Sequence, residues 1–173
     1  MRSITLITTG GTIEKTYDEL TGELSNRRTV VRRMLRRLRL EDARVGVVEL
    51  LSKDSLHMTD EDRTAVVNAL RACGADRPQP PGSGVVILHG TDTLTVTGER
   101  ILADLPNLKV PVVLTGAMRP FEMTRSDALQ NLTEAIFASG VLPPGVYCVA
   151  HGRALALPGV VKDRQRLTFV KAP

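Results

Sequence analysis

Tryptophan is absent, and two tyrosines and three phenylalanines are the only aromatic side chains among 173 residues. That scarcity removes the stacking platform on which single-stranded nucleic acid is held. Cysteine is nearly absent too. Cys73 and Cys148 lie far apart with no CxxC spacing, and they read as reduced thiols in or near a core. The three histidines, His57, His89 and His151, form neither HxxxH nor HExxH, so no metal site and no metal catalysis are expected. GxGxxG, GxxxxGK[ST] and GxSxG do not occur, which leaves nucleotide cradles and the serine-hydrolase elbow without support. No window reaches the roughly 20 apolar residues of a membrane span. The start, MRSITLITTGG, lacks the long apolar stretch and cleavage site of a signal peptide. A cytoplasmic protein with no membrane partner is expected.

What is present is a mixed, soluble composition: 42% hydrophobic residues and a net charge of +4. The length suits one domain, 1–173, with a full core. The positive charge is concentrated. Arg27, Arg28, Arg32, Arg33, Arg36, Arg37 and Arg39 fall within thirteen residues, where Val31, Met34, Leu35 and Leu38 recur at helical spacing. A basic helix of this kind can track phosphates, but no aromatics interleave with the arginines. The plainer reading is a solvated helix face, with no nucleic-acid partner.

Apolar strands alternate with amphipathic segments along the chain. Strands are predicted at 3–9, 45–51, 84–89, 110–115 and 145–150, and helices at 28–40, 59–73, 94–104 and 126–139. Thr59 with Glu61 and Asp62 reads as a helix start and Gly74 as its stop; Ser126 and Gly140 bracket the fourth helix. Such alternation predicts an α/β fold with a mainly parallel sheet in three layers. After residue 151 the pattern weakens to short strands around a Pro-Gly turn.

Two glycine-wrapped threonines stand at predicted strand ends, Thr12 in ITLITTGGTIEK and Thr91 in VVILHGTDTLT. Ligands of open α/β sheets bind at that edge, and converging hydroxyls there suit a nucleophile and its helper. The polar stretch after Thr12 reads as a mobile loop able to act as a lid. Asp92 either joins a proton network or caps the helix from 94. His89 reads as a structural, hydrogen-bonded residue. Lys162 lies between Val161 and Asp163 in a stretch where partial burial would draw it toward base chemistry.

Four segments in order, TTGGTIEK (8–15), ILHGTDTLTVTG (87–98), VVLTGAMRP (112–120) and GVVKDR, resemble the bacterial-type L-asparaginase family over essentially the whole chain. The resemblance implies an asparaginase N-terminal-domain-like, flavodoxin-like fold and cofactor-free amide hydrolysis through a threonine acyl-enzyme. It implies Thr12 as nucleophile, with Thr91, Asp92 and Lys162 as the proton-relay constellation and Tyr17 as an activating loop residue. It further assigns Asp92 to the substrate's α-amino group and Ala117 to the orientation of its amide. Ser55 matches the family's carboxylate-binding serine, Leu56 replaces the glutamine beside it, and Asp54 is a candidate to enter the site instead. The chain ends about where larger members begin a linker to a second domain, so a short form, 1–173, is expected. A homo-oligomer (dimer or tetramer) follows from the same likeness. Two rivals remain open: a glutaminase or a relative acting on amide groups with a tRNA-dependent partner, and a non-catalytic amino-acid- or nucleic-acid-binding protein.

Overall fold

Every residue of β5 (Gly84–Leu88) and of β6 (Pro111–Thr115) is buried, which is what strands covered on both faces require. The computed structural model describes residues 1–172 and sets these strands in a six-stranded sheet. Its other members are β1 (Arg2–Gly10), β4 (Ala43–Lys53), β7 (Gly145–Ala150) and β8 (Arg153–Ala156), in the order β4-β1-β5-β6-β7-β8. All pairings are parallel except the last, where β8 runs antiparallel on β7. Alternate residues point to opposite faces. Leu6, Val86, Leu88 and Val113 pack with Val31 and Met34 of α1 (Val31–Leu35) and Leu132 and Ile136 of α4 (Ala128–Ser139). On the other face Ile7, Ile87 and Leu114 pack with Val66, Val67 and Leu70 of α2 (Asp60–Ala72) and Leu94 and Ile101 of α3 (Leu94–Asp104). The result is the expected three-layer α/β architecture.

The topology fixes where a ligand can sit. From β1 the chain goes first to one neighbour, β4, and then back to the other, β5. The strand order therefore reverses beside β1, and a crevice opens outside the carboxyl ends of β1 and β5. Thr12 and Thr91 follow those two ends.

Three expectations need correcting. The helix over 28–40 shrinks to Val31–Leu35, after which Arg37 N–H donates to Met34 O at 3.0 Å and Leu38 N–H to Leu35 O at 3.1 Å, tighter turns than an α-helix makes. Its N-cap, Val30, offers no side-chain acceptor, and Arg32–Arg36 and Arg33–Arg37 are like-charge pairs at helical neighbour spacing. The guanidinium groups of Arg33 and Arg37 lie 5.7 and 5.0 Å from the Phe121 ring centre. The polar stretch after Thr12 is a hairpin rather than a loop: β2 (Thr16–Tyr17) pairs with β3 (Leu24–Ser25), and Gly22 turns it at φ +74°. Asp18 ties that turn by accepting from Leu20 N–H and the Thr21 hydroxyl and by pairing with Arg27. Asp92 does not cap α3; that position is Thr93. The Thr59 start of α2 is a full capping box with Asp62.

Past β8, β9 (Val160–Asp163) and β10 (Thr168–Lys171) form a separate antiparallel hairpin. Val160 and Phe169, both 3% exposed, plug it into the core. Cys148 is buried and Cys73 half-buried, both as free thiols.

Candidate active site

Four strand-end loops meet around one glycine. A Cβ on Gly11 would lie 2.3 Å from the amide nitrogen of Gly90, one on Gly90 2.4 Å from Ser55 Oγ, and one on Gly116 2.4 Å from His89 O. Backbones this close admit only hydrogen at these positions, so the turns after β1, β4, β5 and β6 are held in mutual contact. Thr9 adds a cross-link, its hydroxyl donating to Leu88 O at 2.8 Å. Thr12 emerges half-buried from the Gly10–Gly11 turn as the first residue of a one-turn 3-10 helix, Thr12–Glu14. Thr91 emerges from the adjoining turn and is 5% exposed. The two threonines therefore sit on touching loops at the reversal point of the sheet.

The late hairpin delivers the ammonium. Lys162 Nζ donates to Thr91 Oγ1 at 2.7 Å and to Asp92 Oδ1 at 3.1 Å. A hydroxyl, an ammonium and a carboxylate in one hydrogen-bonded chain form a proton path. Arg164 also reaches Asp92 Oδ1, at 3.0 Å. His89 is structural, as expected. Its Nδ1 faces the Gly90 carbonyl at 2.9 Å, and a carbonyl only accepts, so Nδ1 carries the proton and Nε2 accepts from the Thr97 hydroxyl at 2.8 Å. Complete burial lowers its pKa to about 4 and keeps the ring neutral.

The remaining predicted residues divide. Ser55 is buried against Gly90, its hydroxyl without a protein partner among the described residues, and its carbonyl accepts from Thr93 at 2.9 Å. Ala117 is buried in the turn after β6. Asp54 is committed elsewhere: Lys15 Nζ lies 2.6 Å from its Oδ2, and Leu56 N–H donates to its Oδ1. Burial pushes the Asp54 pKa up, but the Lys15 and Leu56 hydrogen bonds outweigh it and hold the carboxyl below its ordinary range. Leu56 turns outward, 63% exposed. Lys15, Asp54, Asn26 and His57 border a cavity of about 510 Å³ beside these loops. Tyr17 stands apart. It is 57% exposed, its N–H donates to Glu122, and its phenol makes no hydrogen bond to Thr12, Thr91 or Lys162. Among the described residues no cluster of three or more His, Cys, Asp or Glu could hold a metal, and no helix is long and apolar enough to cross a membrane.

Two residues escaped the sequence reading. Glu14, 2% exposed, lies under the Gly10–Thr12 turn; its Oε2 accepts from Gly10 N–H at 3.1 Å and its Oε1 from the Thr29 hydroxyl. Burial is the main cause that lifts its pKa to about 7. An acid two places past a candidate nucleophile was the available signal. Arg164 had none, since a charged residue in an irregular tail reads as solvated.

Residues 3–166 match the family model described as Asparaginase, N-terminal. The chain is 30% identical over 159 residues to a glutamyl-tRNA(Gln) amidotransferase subunit of Methanococcus maripaludis, covering 88% of this chain and 35% of that one. It is 33% identical over 147 residues to L-asparaginase 1 of Escherichia coli, covering 82% and 41%. The solved thermostable L-asparaginase from Thermococcus kodakarensis superposes with a TM-score of 0.83 at 27% identity, over 98% of this chain and 51% of that one. The chain thus spans between a third and about half the length of these relatives. With the fold, the two threonine turns and a family match over nearly all its length in agreement, the chain belongs to the asparaginase family.

Proposed function

We propose that the protein hydrolyses the side-chain amide of L-asparagine to L-aspartate and ammonia through a threonine acyl-enzyme. The observation that carries this reading is the Lys162–Thr91–Asp92 chain, with Nζ–Oγ1 at 2.7 Å, on a turn packed directly against the one bearing Thr12. Thr12 Oγ adds to the amide carbon while its proton passes toward the departing nitrogen. The C–N bond breaks, and ammonia leaves an ester on Thr12. Water positioned by Thr91 then attacks the ester, its proton passes through the Thr91–Lys162–Asp92 chain and returns to Thr12 Oγ as the ester C–O bond breaks, and aspartate is released. The backbone N–H of Thr91 is the proposed donor to the oxyanion, where a fixed dipole is worth most. No cofactor and no metal take part. Asp92 would take the substrate's α-ammonium, Ser55 its carboxylate and the Ala117 carbonyl its amide. A homo-oligomer in the cytoplasm is proposed on the same footing.

A second reading has a specific warrant. The amidotransferase relative matches as well as the asparaginase relatives do, so an amidase that serves a tRNA-linked amide transfer is the alternative. Ammonia release from L-asparagine and L-glutamine by the purified chain separates these. Release from asparagine supports the first reading; release from glutamine alone or from neither overturns it. Lys162→Met should lower turnover by roughly 10²–10⁴-fold with an unchanged unfolding curve, since it removes one positioned proton-transfer group. Wild-type turnover by that variant would sink the relay, and undiminished turnover by Thr12→Ala would remove the nucleophile assignment.

A further inference from the structure

Asp92 faces two cations. Lys162 Nζ lies 3.1 Å and an Arg164 guanidinium nitrogen 3.0 Å from the same oxygen, Oδ1. The placement of Arg164 is built into the hairpin. Asp163 Oδ1 accepts the N–H groups of Gln165 at 3.0 Å and Arg166 at 2.9 Å, which fixes the four-residue turn that Arg164 begins. Val160 and Phe169 anchor the two strands below it. Of the other acids near the loops, Asp54 is matched one for one by Lys15, Glu14 is buried in hydrogen bonds to Gly10 and Thr29, and Asp127 faces His151. The group around Thr91 therefore carries one negative and two positive charges.

A substrate bearing an ammonium must displace Arg164 from Asp92 Oδ1 or take Oδ2 of the same carboxylate beside two like charges. A substrate bearing only a carboxylate meets the opposite situation, because a guanidinium has five N–H donors and can serve a second carboxylate. The outward turn of Leu56 removes no such contact, since it offers no polar atom beyond its backbone.

We infer that Arg164 is a specificity-determining residue, which occupies Asp92, weakens the grip on an α-ammonium and shifts preference toward monoamides of dicarboxylic acids without a free amine. The inference rests on the amidase reading above and names its substrate class. With succinamate the balance is simple: water adds at the amide carbon, the C–N bond breaks, the water oxygen enters the new carboxylate of succinate, and the nitrogen leaves as ammonia.

The test is steady-state ammonia release from L-asparagine and succinamate by the wild type, Arg164→Gln and Arg164→Lys. In Arg164→Gln, KM for L-asparagine should fall about two- to fivefold, an effect sized for an ion pair whose guanidinium is largely exposed, while KM for succinamate does not fall. The change should lie in KM rather than kcat, and the wild-type preference, unlike that of Arg164→Gln, should weaken with added salt. Arg164→Lys, which keeps the charge, should keep the wild-type ratio. An unaltered ratio in Arg164→Gln overturns the inference, as does an Arg164→Lys enzyme that behaves like Arg164→Gln. If the wild type hydrolyses neither amide, the amidase reading itself fails. Calorimetric binding of L-aspartate and succinate to the same proteins then decides the role of Arg164: an Arg164→Gln chain that gains no affinity for L-aspartate overturns it.

Discussion

At the ends of β1 and β5 the chain is positioned by backbone against backbone; in the β9–β10 hairpin it is positioned by a few side chains. The first region descends from strands buried on both faces, and its turns touch through glycines, so Thr12 and Thr91 have little freedom to move without disturbing the core. The second region is mostly exposed. Val160 and Phe169 hold it inward, Asp163 shapes its turn, and Lys171 Nζ donates to Pro158 O at 2.7 Å. Hydroxyls thus come from the rigid part of the fold and the ammonium from an appended one. The contrast implies that changes to the backbone contacts of the first region act through stability and changes to the turn of the second act through activity.

The strongest way to break this comparison uses two glycines of nearly equal φ. Gly11 has φ +82° and Gly159, just before β9, has φ +80°. Alanine at 11 would drive its Cβ to 2.3 Å from Gly90 N, whereas nothing lies within 4 Å of a Cβ at 159. Both variants bear the strain of a positive φ, which at Gly11, with ψ 178°, falls in a region almost closed to other residues and costs about 1–3 kcal/mol, and only Gly11→Ala adds an overpacking cost of about 1–3 kcal/mol. Urea unfolding should therefore show Gly11→Ala losing roughly 3 kcal/mol or more and Gly159→Ala roughly 1. Equal losses would mean that the β1 and β5 turns are not held by close approach.

Glu14 offers a pH axis within the rigid region. Burial raises its folded pKa from the ordinary 4.5 to about 7, so between those values the folded chain keeps a proton that the unfolded chain has lost. The stabilisation is complete below the unfolded value and is lost as pH rises through about 7. A shift of this size corresponds to roughly 3 kcal/mol. Glu14→Gln keeps an oxygen for Gly10 N–H and an amide that can donate to Thr29, without the charge. Its stability should stay level across that interval while that of the wild type declines. Parallel pH profiles for the two chains would show that Glu14 titrates without linkage to folding.

The parallel strands were readable because strands buried on both faces are unbroken apolar runs, and α3 was readable because its apolar spacing starts and stops cleanly. What escaped depended on partners distant in sequence. Glu14 is buried only because Thr29 and the Gly10 turn close over it, and Arg164 reaches the site only because Asp92 lies beneath it. Asp92 itself allowed two readings, a helix cap and a member of a proton network, and local sequence does not say which wins. In the structure the cap falls to Thr93 and the carboxylate is released to the cations. The arginine stretch misled for the converse reason. Its apolar spacing promised a long helix, while the α-helix closes after Leu35 into tighter turns, with like charges at neighbouring positions and no N-cap side chain to support it.

The smallest expected effect lies at the junction of the two regions. Asp163 stands between Lys162 and Arg164, and its Oδ1 accepts two backbone N–H groups of the turn. Asp163→Ala removes both bonds but leaves Val160 and Phe169 in place, so the hairpin stays docked. Each bond lost at an exposed turn is worth about 0.5–1 kcal/mol, and water replaces part of it. Global stability should fall by no more than about 1 kcal/mol. The Lys162 ammonium, anchored from below by its strand, should keep its contact with Thr91, whereas Arg164 at the head of the turn should wander. Asp163→Ala should therefore reproduce part of the Arg164→Gln change in KM for L-asparagine with little loss of turnover. A large fall in kcat instead would show that the turn, and not the buried strand residues, positions Lys162, and the division between a rigid and an appended half of the site would have to be redrawn.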